Sequence, residues 1–171
     1  SSYAYGMYLN GASNYSRYDV LYNSIYAYSG SSYAHGVYIY PYNSSYKSSF
    51  LYNNIHVQGN YTYPLRLGSN SYISSTYITI DSNNYYCTAN NTTYYGYSNY
   101  TSLSAWKTAC VQEAATTTNL PNYLNPIVSG VMPINLEPAD STGLSCVKNH
   151  NIMNDIMGLS RGSITTKGAY D

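Results

Sequence analysis

The sequence predicts an all-β fold, a parallel β-helix (solenoid) built from coils of thirty residues, and three observations predict it. The first is repetition. Ser1-Ser2-Tyr3-Ala4 returns as Ser31-Ser32-Tyr33-Ala34, and Gly6-Met7-Tyr8-Leu9 as Gly36-Val37-Tyr38-Ile39. Val20-Leu21-Tyr22-Asn23-Ser24-Ile25 returns as Phe50-Leu51-Tyr52-Asn53-Asn54-Ile55. A weaker third copy sets Tyr63, Leu67, Ile80, Asn83 and Asn84 under Tyr3, Met7, Val20, Asn23 and Ser24. A fixed period of this length marks a solenoid, propeller or array. The second observation is alternation. Over 19–26, Val20, Tyr22, Ser24 and Tyr26 alternate with Leu21, Asn23 and Ile25, the period of a strand. The third is unit length: a propeller blade needs about 40–50 residues and four strands, more than this repeat supplies.

Each unit then carries two β-rich runs, 6–9 and 19–26 in the first copy, 36–40 and 49–57 in the second. Coils stacked about 4.8 Å apart place every side chain over its counterpart one repeat away. The inward columns expected are Met7–Val37–Leu67, Leu9–Ile39, Leu21–Leu51 and Ile25–Ile55–Tyr85. Asn23–Asn53–Asn83 is expected to form an amide ladder at a turn. Tyr8–Tyr38 and Tyr22–Tyr52 are expected to stack outward.

The repeats divide the chain into coils at 1–30, 31–60 and 61–90, followed by a loop, short helix and capping region over 91–171 of the same domain. Because the chain opens directly on a repeat, Ser1 reads as a processed edge with further coils upstream. From about Asn90 the period breaks, and 90–101 reads as a loop. Residues 102–109 read as a short amphipathic helix, with Thr101 or Ser102 near its N-cap and Leu103 and Trp106 on one face. Trp106 is a core anchor on this reading. Pro121, Pro126, Pro133 and Pro138 argue for turns and edge segments beyond it. Such irregular structure suits a cap, since an open final coil would expose unpaired backbone.

Composition narrows the function classes. The 171 residues include 26 Tyr and one Phe, and only 8% are charged, with zero formal net charge. No electrostatic footprint for nucleic acid follows from that balance. No apolar run reaches the roughly 20 residues of a membrane span. Cys87, Cys110 and Cys146 fit no zinc spacing, and both a disulfide pair plus one thiol and three thiols stay open. Metal and cofactor are not expected. Sequons stand at Asn14, Asn43, Asn60, Asn90, Asn91 and Asn99.

Catalytic signatures are missing. A Ca²⁺-dependent lyase site needs acids in the same or adjacent columns, yet Asp19 stacks over Ser49 and Thr79, and Asp81 lies under Leu21 and Leu51. Glu113, Glu137, Asp140 and Asp155 fall where spacing carries no information. His35, His56 and His150 are too scattered for a triad, and His35 (with Tyr5) and His56 (with Tyr26 and Tyr86) read as aromatic-like surface packing. Arg17 and Lys47 share a column, as a solvated face or a contact to an acidic glycan. Tyrosine rows offer flat apolar faces with hydroxyls, suited to sugars or a protein partner, and equally suited to stabilising the solenoid exterior.

Three blocks carry a resemblance. Ser82-Asn83-Asn84-Tyr85-Tyr86 with Tyr95-Gly96-Tyr97 and Leu103-Ser104-Ala105-Trp106 is the first; Gln112-Glu113-Ala114 with Leu120-Pro121-Asn122-Tyr123 is the second. The third is Asp155-Ile156-Met157-Gly158-Leu159-Ser160-Arg161 with Lys167-Gly168-Ala169-Tyr170-Asp171. Together they resemble the C-terminal part of right-handed parallel β-helix (pectate-lyase-like) proteins of the secreted, surface Bacteroidetes type. The likeness departs at Met157 and Lys167, where the family usually has an acid or, at the second position, an acid or apolar residue. It implies an Asp155–Arg161 ion pair in the terminal cap, an O-glycosylation site at Ser141, and an extracellular location. The expected function is a non-catalytic surface stalk, adhesin or assembly subunit, with carbohydrate or other copies and surface proteins as partners. The alternative is the terminal portion of a polysaccharide lyase or glycoside hydrolase whose site lies upstream or is not recognisable from the residues. The residues expected to make contacts are Tyr8, Tyr38, Tyr22, Tyr52, Arg17 and Lys47.

Overall fold

The computed structural model describes residues 3–11, 16–41, 45–97, 100–124, 136–139, 144–147, 154–155, 157–161 and 164–169. Parallel strands dominate. β1 (Tyr3–Asn10), β3 (Ser24–Tyr40), β5 (Asn54–Leu67) and β7 (Asn84–Thr93) form one sheet in that order. β2 (Asp19–Leu21), β4 (Ser48–Leu51) and β6 (Ile78–Asp81) form a second. Each strand pairs with the strand one repeat away, Tyr8 with Tyr38 and Asp19 with Ser49, an arrangement compatible with the coils of a β-helix.

The run 19–26 is two strands, not one. Tyr22, Tyr52 and Ser82 take left-handed φ values of 54°, 60° and 57°, and each turns a corner between the two sheets. Because of the corner, Val20–Phe50–Ile80 is the column that enters the core, while Leu21 and Leu51 pack beside Tyr22, Tyr52 and Cys146 outside it. Ile25–Ile55–Tyr85 points inward as expected.

The third copy also shifts. Beyond Ser29 the pairing slips by two residues, so Tyr33 faces Tyr61, His35 faces Tyr63, and Val37 and Ile39 face Leu65 and Leu67. Leu67 therefore continues the Leu9–Ile39 column, and Leu65 the Met7–Val37 column. A 3-10 turn, Asn70–Ile73, precedes β6, which recovers the thirty-residue register as Ser48 pairs with Ile78. The period also outlasts Asn90: β7 runs to Thr93, with Tyr61 opposite Thr92 across a further register shift. The strand pairing thus continues past residue 90.

At Gly36 the sheet closes on the core. A Cβ there would meet Ile55 Cγ2 at 2.4 Å and the Pro64 carbonyl oxygen at 2.6 Å. Gly36→Ala is expected to lower the unfolding free energy by about 2 kcal/mol through overpacking, read by urea denaturation. A wild-type midpoint would mean that the sheet stands further from the core.

α1 (Leu103–Cys110) starts where expected, with Ser102 Oγ accepting the Ala105 N–H at 3.1 Å. Val111 ends it in the left-handed region at φ 52°. Trp106 is fully buried beneath Gly96, where an added Cβ would strike the indole at 2.3 Å. After the helix the chain returns under the third corner: Glu113 N–H donates to the Ile80 carbonyl and Thr117 N–H to the Asn83 carbonyl. This return closes the end of the stack. β8 (Ser145–Val147) and β9 (Ile164–Thr166) pair antiparallel, and Gly168 N–H donates to the Tyr52 carbonyl. The closing segment therefore lies along the Tyr22–Tyr52 corner, and the helix return lies against the third corner at Ile80 and Asn83.

No disulfide joins the three cysteines among the described residues; Cys110 is buried, and Cys87 and Cys146 are half-buried. No helix is long and apolar enough among the described residues to cross a membrane.

Candidate ligand-contact site

The ladder that frames the corner is built as expected. Asn23 and Asn53 each donate both backbone N–H and amide Nδ2–H to the Oδ1 of the next asparagine, at 3.0–3.1 Å. Thr116 Oγ1 accepts the Asn83 N–H and ends the series.

Outward-facing side chains make two aromatic surfaces. The first lies on the 24–29, 54–59 and 84–89 segments, where Tyr26, His56 and Tyr86 share one column and Tyr28, Gln58 and Thr88 the next. The segment 120–123 overhangs it, so that His56, Gln58, Tyr86, Thr88, Asn122 and Tyr123 surround a groove of about 570 Å³. Backbone bonds to 137–139 pin the overhang, Leu124 N–H donating to the Glu137 carbonyl. Tyr123 lies parallel to His56 with ring centres 6.1 Å apart, and Tyr86 meets His56 edge-on at 4.8 Å. Burial lowers the His56 pKa to about 4, so the ring is neutral near pH 7. Tyr26 OH donates to Gln58 Oε1 at 2.9 Å. Flat apolar walls with an amide, a hydroxyl and a ring nitrogen inside make a groove of ligand-pocket size.

The second surface is a grid of three columns. Tyr3–Tyr33–Tyr61, Tyr5–His35–Tyr63 and Tyr8–Tyr38–Arg66 stand in register across β1, β3 and β5. Tyr8 and Tyr38 stack at 4.8 Å and 9°, and Tyr33 and Tyr61 at 5.0 Å. His35 occupies the centre, meeting Tyr5 edge-on at 4.8 Å and Tyr63 at 4.9 Å. It is buried, and burial followed by the Arg66 charge lowers its pKa to about 3.

Other expected contact residues are placed differently. Tyr22 and Tyr52 do stack, at 4.7 Å, but both are buried under the closing segment, with the Arg161 guanidinium 4.2 Å from the Tyr22 ring centre. Arg17 is tied to Asp19 at 2.8 Å, and Lys47 is exposed. Arg161 donates to the Gly168 and Ala169 carbonyls, while Asp155 Oδ1 accepts the Met157 and Leu159 N–H groups of its own turn. Asn90 and Asn91 are exposed, and Asn90 Nδ2 donates to Asn60 Oδ1. Asn14, Asn43, Asn99 and Ser141 lie outside the described residues.

The carboxylates serve the fold. Asp81 Oδ1 accepts Ser82 N–H and Ala115 N–H, and Glu113 is fully buried. Asp19 is paired with Arg17, and Asp155 is held by the N–H groups of its own turn.

Sequence reasoning passed over Arg66, Gln58 and Tyr123. A two-residue gap before Tyr61 would have found Arg66, because it aligns Tyr61-Thr62-Tyr63 with Tyr33-Ala34-His35. Nothing local announces that 120–123 folds over the His56 column.

No family model, curated protein or solved structure matches the chain.

Proposed function

We propose that this chain is a non-catalytic, extracellular right-handed parallel β-helix of the surface-protein type, acting as an adhesin that holds carbohydrate on its outer aromatic faces. The observation that carries this reading is the groove between the His56 column and the 120–123 overhang. Sugar rings have one apolar face and a rim of hydroxyls. Tyr86 and Tyr123 offer matching faces, and Gln58, Thr88 and Asn122 offer donors and acceptors at the rim. Stacked coils extend such a surface along the solenoid without any catalytic group. The resemblance of the closing blocks to secreted surface proteins supports the location.

Tyr86→Ala and Gln58→Ala test it, because both side chains leave the outer face of the sheet. Each is expected to weaken binding of a glycan-array hit by about tenfold, the scale of one lost charge-neutral contact plus ring stacking. Calorimetric affinities equal to wild type in both variants would remove the groove from the account.

A further inference from the structure

The first and third corners end differently. At the third, Thr116 Oγ1 accepts the Asn83 N–H, Gln112 Oε1 accepts the Ile80 N–H, and Thr117 N–H donates to the Asn83 carbonyl. At the first, β1 and β2 are the outermost strands of their sheets. Met7 and Leu9 are half-buried where Val37 and Ile39, one coil on, are fully buried. A hollow of about 260 Å³ opens among first-coil residues, with Met7, Leu9, Tyr18, Val20 and Asn23 in its wall. Arg17 and Asp19 also line it and neutralise each other, so it offers no net charge to an ionic ligand. Edge strands are commonly blunted by lysine, proline or a covering segment, yet β1 carries no charge and no proline in its eight residues.

We propose that the β1–β2 end is a docking surface for a polypeptide coil of the same thirty-residue repeat, entering parallel to β1 and β2 with its own asparagine donating to Asn23 Oδ1. The polarity of the ladder selects this occupant. Asn23 donates to Asn53, Asn53 to Asn83, and Asn83 to Thr116, so every rung spends its donors on the coil that follows. Asn53 Oδ1 and Asn83 Oδ1 each accept two bonds, whereas Asn23 Oδ1 accepts none among the described residues. The occupant must therefore bring donors. A second copy meeting this one head-to-head would bring Asn23 with its N–H groups already committed to Asn53, setting acceptor against acceptor. A parallel coil brings a backbone N–H and an amide N–H to the same oxygen, continues the in-register pairing of β1 with β3 and β2 with β4, and lays its apolar residues over Met7, Leu9 and Val20. This surface is separate from the outer aromatic faces, and the inference does not depend on the carbohydrate reading.

The test titrates a synthetic peptide of residues 1–30 into the ¹⁵N-labelled whole chain. Saturable shifts are expected at Asn23 and along β1 and β2, with the 112–117 resonances unmoved. The same peptide with Asn23→Ala is expected to bind at least about tenfold more weakly, having lost its donors to the ladder. A peptide of identical composition in reversed order is expected not to bind. Equal binding by the reversed peptide, or random-coil shifts across β1 that report displacement of the first coil, would overturn the proposal. So would a dimer of the whole chain in sedimentation whose interface maps to β1. If the free peptide does not bind, a chain carrying a second copy of residues 1–30 ahead of Ser1 decides, because linkage removes the cost of association. A urea midpoint above wild type that falls back when the added copy's asparagine is changed to alanine supports the docking surface, and a midpoint unchanged by the added coil overturns it.

Discussion

Glu113→Ala is expected to destabilise the protein by roughly 4 kcal/mol, the largest single effect the structure implies. The carboxyl is completely buried at the end of the stack, where Tyr85 OH donates to Oε1 at 2.6 Å and Trp106 Nε1–H to the same oxygen at 3.0 Å. Thr116 Oγ1 donates to Oε2, and the same Thr116 oxygen accepts the N–H of Asn83. Removing the acceptor strands three buried donors together and opens a cavity under Trp106. Glu113→Gln keeps the shape and one acceptor oxygen, and is expected to cost about 1 kcal/mol.

The pH dependence separates the charge from the shape. Burial raises the Glu113 pKa above its ordinary value, outweighing the hydrogen bonds that favour the anion. The folded state thus holds a proton that the unfolded chain releases near pH 4.3. Its stabilisation is complete below that value and is lost as the pH rises through the folded pKa. Wild type is therefore expected to lose stability across this interval, and Glu113→Gln, which does not titrate, to show a flatter profile. Parallel profiles in urea denaturation would show that the carboxyl is ionised in the fold.

Asn53→Ala is expected to cost about 3 kcal/mol. Its Oδ1 accepts two bonds from Asn23, and its Nδ2 donates to Asn83 Oδ1 and the Val20 carbonyl. Alanine leaves a buried carbonyl, an amide oxygen and a backbone N–H without this partner. The same change at Asn23, the half-buried first rung, is expected to cost about 1 kcal/mol, because solvent reaches it. Equal losses at both positions, by chemical denaturation, would contradict a ladder in which the middle rung carries the most bonds.

What was legible in the letters is what repeats without insertion. The asparagine ladder, the Tyr8–Tyr38 stack and the Ile25–Ile55–Tyr85 column follow from identical or similar residues at one offset, and in-register pairing converts that offset directly into contact. The corner was hidden. Left-handed backbone is usually announced by glycine, yet here Tyr22, Tyr52 and Ser82 adopt it, so an apparently continuous alternation across 19–26 is broken in the middle. The third-copy shift was hidden for a related reason: a two-residue slip leaves tyrosines and leucines under tyrosines and leucines, and only Arg66 and the buried pattern reveal it. Glu113, Lys167 and Tyr123 depend on contacts between segments far apart in sequence. Lys167 Nζ reaches the Ala115 carbonyl and Thr117 Oγ1, and burial lowers its pKa, so this lysine ties the closing segment to the helix return.

The measurement that tests the central claim most directly is glycan-array binding of the whole chain, with and without Ca²⁺, followed by mass spectrometry of every hit after prolonged incubation. The account predicts binding that is indifferent to Ca²⁺ and leaves each glycan at its original mass. Unsaturated or hydrolysed products would contradict it and make the chain part of a carbohydrate-active enzyme.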